Sequence, residues 1–215
     1  MAYPYNLKVV VSGKQVEVYK YSKNIWRDFE RTLPSVLTTK NTYETSIPTP
    51  EEQVKQQQQK TQFSISRTRT EIRRLVNANP QLTKFLTLTF AENITDLKSA
   101  NHVFNQFVKR ISYRYQGFEY LAVPEFQKRG AVHYHLLCNL PFVEPEKVAR
   151  LWGQGFIKIN RLNNVNNIGA YVCKYLSKDM FDERTFGKKK FFRSQTLKQP
   201  TEIMGWLATL FEKRF

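Results

Sequence analysis

The stretch Glu119–Asn139, EYLAVPEFQKRGAVHYHLLCN, decides the fold. It holds two runs rich in apolar and β-branched residues, Glu119–Phe126 and Ala131–Asn139, on either side of Gln127–Gly130. Two such runs around a short segment that contains glycine predict a β-hairpin. An antiparallel sheet is therefore expected around residues 119–139.

From Lys84 onward, strand-like and helix-like segments follow in the order β-α-β-β-α-β-α. Phe85–Phe90 has apolar residues at alternate positions, whereas the apolar residues of 97–115 recur at helical spacing behind Thr95 or Asp96 as N-cap. The other expected elements are a helix over Glu144–Leu151, a strand over Gly155–Asn160, and helices over Asn167–Ser177 and Thr201–Lys213. This order predicts an α+β fold, an antiparallel sheet of about five strands like that of ferredoxin or RNA-recognition domains, with helices packed mainly on one face.

The chain is strongly basic, since its 215 residues include 34 Lys and Arg against 18 Asp and Glu, a formal net charge of +16. The positive charge is spread along the chain, which predicts a distributed surface for a polyanion, and nucleic acid is the leading candidate. No apolar run approaches the roughly 20 residues of a membrane span, and the N-terminus lacks the layout of a signal peptide. We therefore expect a cytoplasmic protein without membrane contact.

Two regions are expected along the chain. Residues 1–80 are interpreted as an accessory DNA-binding region, with a β-hairpin around Ser12–Lys14, a linker or loop from Lys40 to about Gln62, and a basic helix. That helix carries Arg67, Arg69, Arg73 and Arg74, which suit either a phosphate clamp or a solvated face. Residues 81–215 are interpreted as the main domain, with a basic C-terminal extension.

Two of the three histidines, His133 and His135, lie two positions apart in the second strand of the hairpin. Because strand side chains alternate, both project from the same face. If the turn closes near residues 127–130, Glu125 falls roughly opposite His133 on the preceding strand. Two imidazoles and a carboxylate suit a divalent ion such as Mn²⁺ or Mg²⁺, although solvated or hydrogen-bonded histidines would give the same pattern.

A second candidate group lies in the helix expected over Asn167–Ser177. Tyr171 and Tyr175 are four positions apart and share a helix face, and each is followed three positions later by a lysine, Lys174 or Lys178. The tyrosines could simply pack against the sheet. Alternatively, a phenolate can attack a phosphodiester to leave a covalent phosphotyrosine, and two tyrosines would allow two successive transfers.

Taken together, three blocks resemble the HUH endonuclease superfamily, specifically the rolling-circle replication initiators of bacterial plasmids and phages. Phe85–Phe90 is similar to the first strand motif, His133–His135 to the histidine–hydrophobic–histidine motif, and Tyr171–Tyr175 to the two-tyrosine helix. The resemblance covers residues from about 84 to 179. It implies a metal-dependent nickase, within the domain 81–215, that acts on single-stranded or cruciform origin DNA.

The resemblance also implies roles for individual residues. Tyr171 would attack DNA to give a 5′-phosphotyrosine and a free 3′-hydroxyl for a DNA polymerase, Tyr175 would serve in strand joining, and Lys174 would assist. His133 and His135 would bind the metal, with Glu125 as third ligand. The sequence has no Gly-x-x-x-x-Gly-Lys loop for ATP, so a host helicase would have to separate the strands.

Basic side chains elsewhere are candidate contacts to the DNA backbone. Besides the four arginines of the basic helix they are Lys128, Arg129, Lys188, Lys189, Lys190 and Arg193. Two alternative functions stay open. A transposase or mobilisation relaxase would use the same chemistry, although the third histidine of the relaxase cluster is missing. A non-catalytic single-strand-binding module would leave the paired histidines and tyrosines unexplained.

Overall fold

The computed structural model describes residues 3–27, 49–162, 184 and 187–214. The chain forms two compact units, one from Met1–Phe63 with Pro200–Phe215 and one from Ser64–Gln199. The helices are α1 (Pro50–Ala78), α2 (Leu97–Arg114), α3 (Pro145–Trp152) and α4 (Trp206–Glu212). The strands are β1 (Tyr3–Ser12), β2 (Gln15–Arg27), β3 (Lys84–Thr89), β4 (Tyr120–Phe126), β5 (Val132–Cys138), β6 (Ile157–Arg161), β7 (Phe192–Arg193) and β8 (Thr201–Met204).

The larger unit contains a five-stranded antiparallel sheet in the order β6-β3-β5-β4-β7. The β4–β5 hairpin closes at the predicted turn, where the Gln127 N–H donates to the Ala131 carbonyl over 2.8 Å. Gly130 has a φ of 88° in this turn, a conformation that favours glycine. The predicted α+β fold with an antiparallel sheet is therefore confirmed, and β5, which carries both histidines, is its central strand.

Helices α2 and α3 cover one face of this sheet. Helix α2 begins at Leu97 because the Asp96 carboxylate caps the helix N-terminus, as the sequence predicts. The core on this face includes the fully buried aromatic side chains of Phe104, Tyr134 and Trp152. Burial of each such ring contributes about 1.5–3 kcal/mol to folding, so this packing anchors the sheet on the side away from the histidines.

The C-terminal part of α1 adds apolar cover on the opposite face. Its buried residues pack against β4 and β5 in a second cluster that includes Ile65, Ile72, Leu75, Val76, Leu121, Val123 and Leu137. Strand alternation places Leu121, Val123 and Leu137 on the histidine face. Helices therefore lie on both faces: α2 and α3 on the face that the sequence predicts, and α1 on part of the other.

The beginning of α1 corrects one prediction. The stretch from Lys40 to Gln62 was expected to be a linker or loop, and this is wrong from Pro50 onward. Thr49 and Glu52 form a capping box, in which the Glu52 N–H donates to Thr49 Oγ1 over 3.2 Å and the Thr49 N–H donates to Glu52 Oε2 over 2.9 Å. Pro50 suits the first helical position, where its missing N–H costs nothing.

The smaller unit has a three-stranded sheet in the order β2-β1-β8, with Leu7, Val9 and Ala208 of α4 buried in its core. The expected helix over Thr201–Lys213 is wrong at its start, because Thr201–Met204 forms β8 and pairs with β1. The helix begins only at Trp206. The tertiary pairing of β8 with a strand almost 200 residues earlier in the chain is the physical reason that local pattern missed it.

Two other expectations are not tested by the fold. The helix predicted over Asn167–Ser177 lies outside the described residues, and the role of residues 1–80 as an accessory DNA-binding region stays a prediction. Among the described helices, none is both long and apolar enough to cross a membrane.

Candidate metal centre

The β4–β5 hairpin brings Glu125, His133 and His135 together. Glu125 lies directly opposite His133 in the register, as expected from the position of the turn. One carboxylate oxygen, Glu125 Oε2, lies 3.0 Å from His133 Nε2 and 2.5 Å from His135 Nε2. One ligand atom from each of the three residues can be chosen so that all lie within 4.8 Å of one another. The prediction that these three side chains converge is confirmed.

The donor atoms have a geometry that suits a shared cation. The side chains are only 14%, 17% and 19% exposed for His133, His135 and Glu125. His133 Nε2 is buried and makes no hydrogen bond, although it faces the carboxylate oxygen. A buried imidazole nitrogen without a hydrogen bond is costly, and coordination of a cation would satisfy it. Two imidazole nitrogens and a carboxylate oxygen therefore fit a divalent metal ion, with further coordination positions left for substrate or water.

Thr87 of β3 orients the second histidine. It pairs with His135 in the register, and its Oγ1 lies 3.1 Å from His135 Nδ1. When Nδ1 carries the ring proton it donates to this hydroxyl, and the lone pair on Nε2 is then directed to the site. The ring of Phe85 stacks on His135 with centroids 5.4 Å apart and fixes the plane of the imidazole. Such outer contacts set the tautomer and orientation of a histidine ligand.

Replacement of Thr87 by valine is expected to weaken Mn²⁺ binding by roughly 10- to 100-fold, because the isosteric side chain removes the hydrogen bond on His135 and leaves the ligand atoms in place. Isothermal titration calorimetry of the purified chain measures this directly. Thr89→Val on the same strand and face is the matched control, since no hydrogen bond joins the Thr89 hydroxyl to either histidine among the described residues. Equal affinities for the Thr87 variant and the unaltered chain would contradict the positioning role.

The residues between and beside the ligands face the other way. Tyr134 is buried on the α2 side, where its hydroxyl donates to Asn101 Oδ1 over 2.8 Å, and burial raises its pKa. Burial likewise raises the pKa of the Cys138 thiol to about 11. Both groups therefore stay protonated at neutral pH, and neither serves as a nucleophile or a metal ligand in this arrangement.

The predicted DNA contacts have different surroundings. Arg129 is an internal latch, because its Nη2 donates to the Phe90 carbonyl over 2.7 Å and its Nε to Gln127 Oε1 over 2.9 Å. These bonds tie the hairpin turn to the end of β3. Lys128 is exposed beside it.

Of the remaining basic candidates, some are exposed and some are half-buried. The exposed ones are Arg67, Lys188 and Lys189, and the half-buried ones are Arg69, Arg73, Arg74, Lys190 and Arg193. The DNA-binding role of all of these side chains stays a prediction. The catalytic candidates Tyr171, Lys174, Tyr175 and Lys178 lie outside the described residues.

Thr87 and Phe85 belong to the site and were not among the sequence candidates. Alternation in Phe85–Phe90 already separates Phe85, Thr87 and Thr89 from the apolar residues that face α2. What the sequence did not supply was the pairing of β3 with β5, which aligns Thr87 with His135. A polar residue on a strand otherwise apolar was the signal available.

Comparison with known proteins gives two matches. Residues 83–180 match a family of replication-associated proteins, the ORF2 family. The curated "Phasyl DNA replicon protein arp" of Escherichia coli is 33% identical over an alignment of 123 residues, which covers 44% of this chain and 42% of the relative. The chain thus matches less than half of the length of that relative. No solved structure matches.

The matched segment coincides with the sheet of the larger unit. Residues 83–180 include all of β3, β4, β5 and β6, and with them the three candidate metal ligands. Both similarities therefore support a replication-initiator family, and a role in replication initiation, for this chain.

Proposed function

We propose that this chain is the nicking subunit or domain of a replication initiator, one that cuts single-stranded origin DNA in a metal-dependent reaction. The observation that carries the proposal is the convergence of Glu125, His133 and His135 on one point, inside the segment that matches the replication-associated family. The basic charge of +16 supports a nucleic acid as substrate. When bound, a divalent cation such as Mn²⁺ or Mg²⁺ supplies charge neutralisation at a phosphate oxygen.

In the proposed reaction a tyrosine oxygen, from Tyr171 or Tyr175, forms a bond to the scissile phosphorus, and the bond from phosphorus to the 3′ oxygen breaks. The phenol loses its proton to water, and the leaving 3′ oxygen gains one, so the products are a 5′-phosphotyrosine and a free 3′-hydroxyl. Lys174 and Lys178 would stabilise the phenolate. Because the covalent linkage conserves the bond energy, the same steps in reverse join strands, and the free 3′ end serves a DNA polymerase.

The deciding experiment is covalent capture of DNA. Overlapping single-stranded oligonucleotides that tile both strands of the DNA around the coding region are incubated with the full chain and Mn²⁺, and products are resolved on a denaturing gel. We expect an adduct with one oligonucleotide, confirmed by mass spectrometry, and none when EDTA replaces the metal. An adduct that persists in EDTA would overturn the metal requirement.

Binding of oligonucleotides without any adduct would favour the alternative of a non-catalytic single-strand-binding module. A transposase or relaxase would give the same adduct, and it is distinguished by the DNA recognised, since terminal repeats or a transfer origin would then be captured instead of a replication origin.

A further inference from the structure

Edge strand β6 presents polar and aromatic side chains on the same sheet face as the candidate metal ligands. Lys158 pairs with Thr87 of β3, and Thr87 pairs in turn with His135 of β5. Side chains of directly opposed residues lie on the same face of a sheet. Lys158 is therefore on the histidine face, two strands from His135, which corresponds to about 10 Å.

The side chains of β6 alternate in burial. Ile157 is 8% exposed and Ile159 packs against the core under α2, whereas Lys158 and Asn160 are exposed. Phe156, directly before the strand, is 69% exposed, and its carbonyl accepts a hydrogen bond from the Thr89 N–H over 2.9 Å. Thr89 pairs with His133, so the exposed aromatic residue is held in line with the other histidine.

The local backbone is built to hold this strand close to β3. Gly155 has a φ of 151°, and a Cβ at this position would lie 2.5 Å from the Thr89 carbonyl oxygen and from the Ala91 nitrogen. The indole N–H of Trp152 donates to the same Thr89 carbonyl over 3.0 Å. The exposed Phe156 therefore stands on a fixed segment beside the site, and its exposure does not result from a loose end of the chain.

The composition of this edge matches a single-stranded nucleic acid. An exposed aromatic ring stacks on any base, a lysine contacts the phosphate backbone, and an amide such as that of Asn160 can hydrogen-bond a base edge. The rest of the histidine face differs, because around Leu121, Val123 and Leu137 it is covered by α1. The open polar approach to the ligands is therefore from the β6 side.

We propose that Phe156, Lys158 and Asn160 form a β6 track that holds single-stranded DNA next to the metal centre. This proposal rests on the proposed function for its location of the scissile phosphate, but the track itself makes a binding prediction that needs no cleavage. One isolated exposed phenylalanine would be unremarkable on a protein surface. Here the ring and the cation follow the same strand and face the same ligands.

The test is fluorescence anisotropy with a labelled oligothymidylate in EDTA, so that neither metal nor cleavage contributes. Phe156→Ala and Lys158→Ala are each expected to weaken binding by about 5- to 100-fold and 3- to 10-fold respectively. Lys158→Ala should also reduce the slope of log affinity against log salt concentration by about 0.7, and Lys158→Arg should restore it.

Two matched controls lie away from β6. Phe142 is 93% exposed in the loop after β5, and Lys109 is exposed on α2, which covers the opposite face of the sheet. Phe142→Ala and Lys109→Ala should bind like the unaltered chain. Equal losses in the control and β6 variants, or none in the β6 variants, would overturn the track.

Failure of the track and failure of the proposed function are separable. If the unaltered chain forms a covalent adduct and the β6 variants bind DNA normally, only the track is wrong. If the β6 variants lose DNA binding and no adduct forms with Mn²⁺, the track stands and the nicking proposal is wrong. Unchanged Mn²⁺ affinity in both variants shows that the metal centre is intact.

Discussion

A chain in which Tyr171 and Tyr175 are both replaced by phenylalanine is expected to form no covalent adduct with DNA. Phenylalanine keeps the ring and removes the one oxygen that can bond to phosphorus, so the loss follows from chemistry and not from packing. Removal of an enzymatic nucleophile lowers turnover by roughly 10⁴-fold or more, which in a gel assay reads as complete loss. Metal and DNA binding should be retained by the double variant.

The single variants separate the two roles. If one tyrosine opens the strand, its phenylalanine variant alone should lose the first cleavage, whereas the other variant should still cleave and should fail to rejoin strands. Tyr113→Phe is the matched control, since Tyr113 is 87% exposed on α2, the helix that covers the sheet face opposite the histidines. A double variant that still cleaves would make the nucleophile assignment wrong.

The geometry of the ligand triad could be predicted because it is local. A strand repeats every two residues, so His133 and His135 must share a face, and the short turn at residues 127–130 sets Glu125 opposite His133. Only ten residues separate Glu125 from His135, and no long-range pairing is needed to bring them together. Local periodicity therefore fixes this part of the site.

The parts that were missed depend on pairings between distant segments or on signals that can be read in two ways. Thr87 reaches His135 only because β3 pairs with β5, almost 50 residues later. Pro48 and Pro50 suggest a loop, yet the capping box of Thr49 and Glu52 starts α1 at that point. The segment Thr201–Met204 becomes a strand because β1 is its partner.

Charge alone also failed to indicate how each arginine is used. Arg129 was expected to contact DNA, and its guanidinium instead donates to the backbone at the end of β3. An arginine satisfies backbone carbonyls as readily as phosphates, because both offer oxygen acceptors. The use of a basic residue therefore becomes clear only when its neighbours in space are known.

Replacement of either histidine ligand is expected to remove the metal response of the protein. His133→Ala and His135→Ala each delete one of three ligands, so Mn²⁺ affinity should fall by at least about 100-fold, more than for loss of the outer Thr87 contact. Glu125→Gln should act similarly, because it keeps the shape of the side chain and removes the charge that faces both imidazoles. Covalent capture of DNA should fall in parallel.

A stability measurement checks the same prediction without DNA. A ligand that binds only the folded state at 100 times its dissociation constant raises the free energy of unfolding by about 2.7 kcal/mol. Mn²⁺ at that concentration should therefore raise the melting temperature of the unaltered chain and of His102→Ala, whose histidine is exposed on α2. The three ligand variants should show no such shift.

The two readouts together identify the role of the triad. If a ligand variant loses the thermal shift and the adduct but still binds oligothymidylate in EDTA, the three side chains act through the metal and not through DNA contact. If His135→Ala keeps the thermal shift of the unaltered chain, then the convergence on Glu125 Oε2 is a hydrogen-bonded cluster, because a three-ligand site does not survive loss of the imidazole closest to its carboxylate. In that case the metal would have to be bound elsewhere or not at all, and the nicking proposal would lose the observation on which it depends.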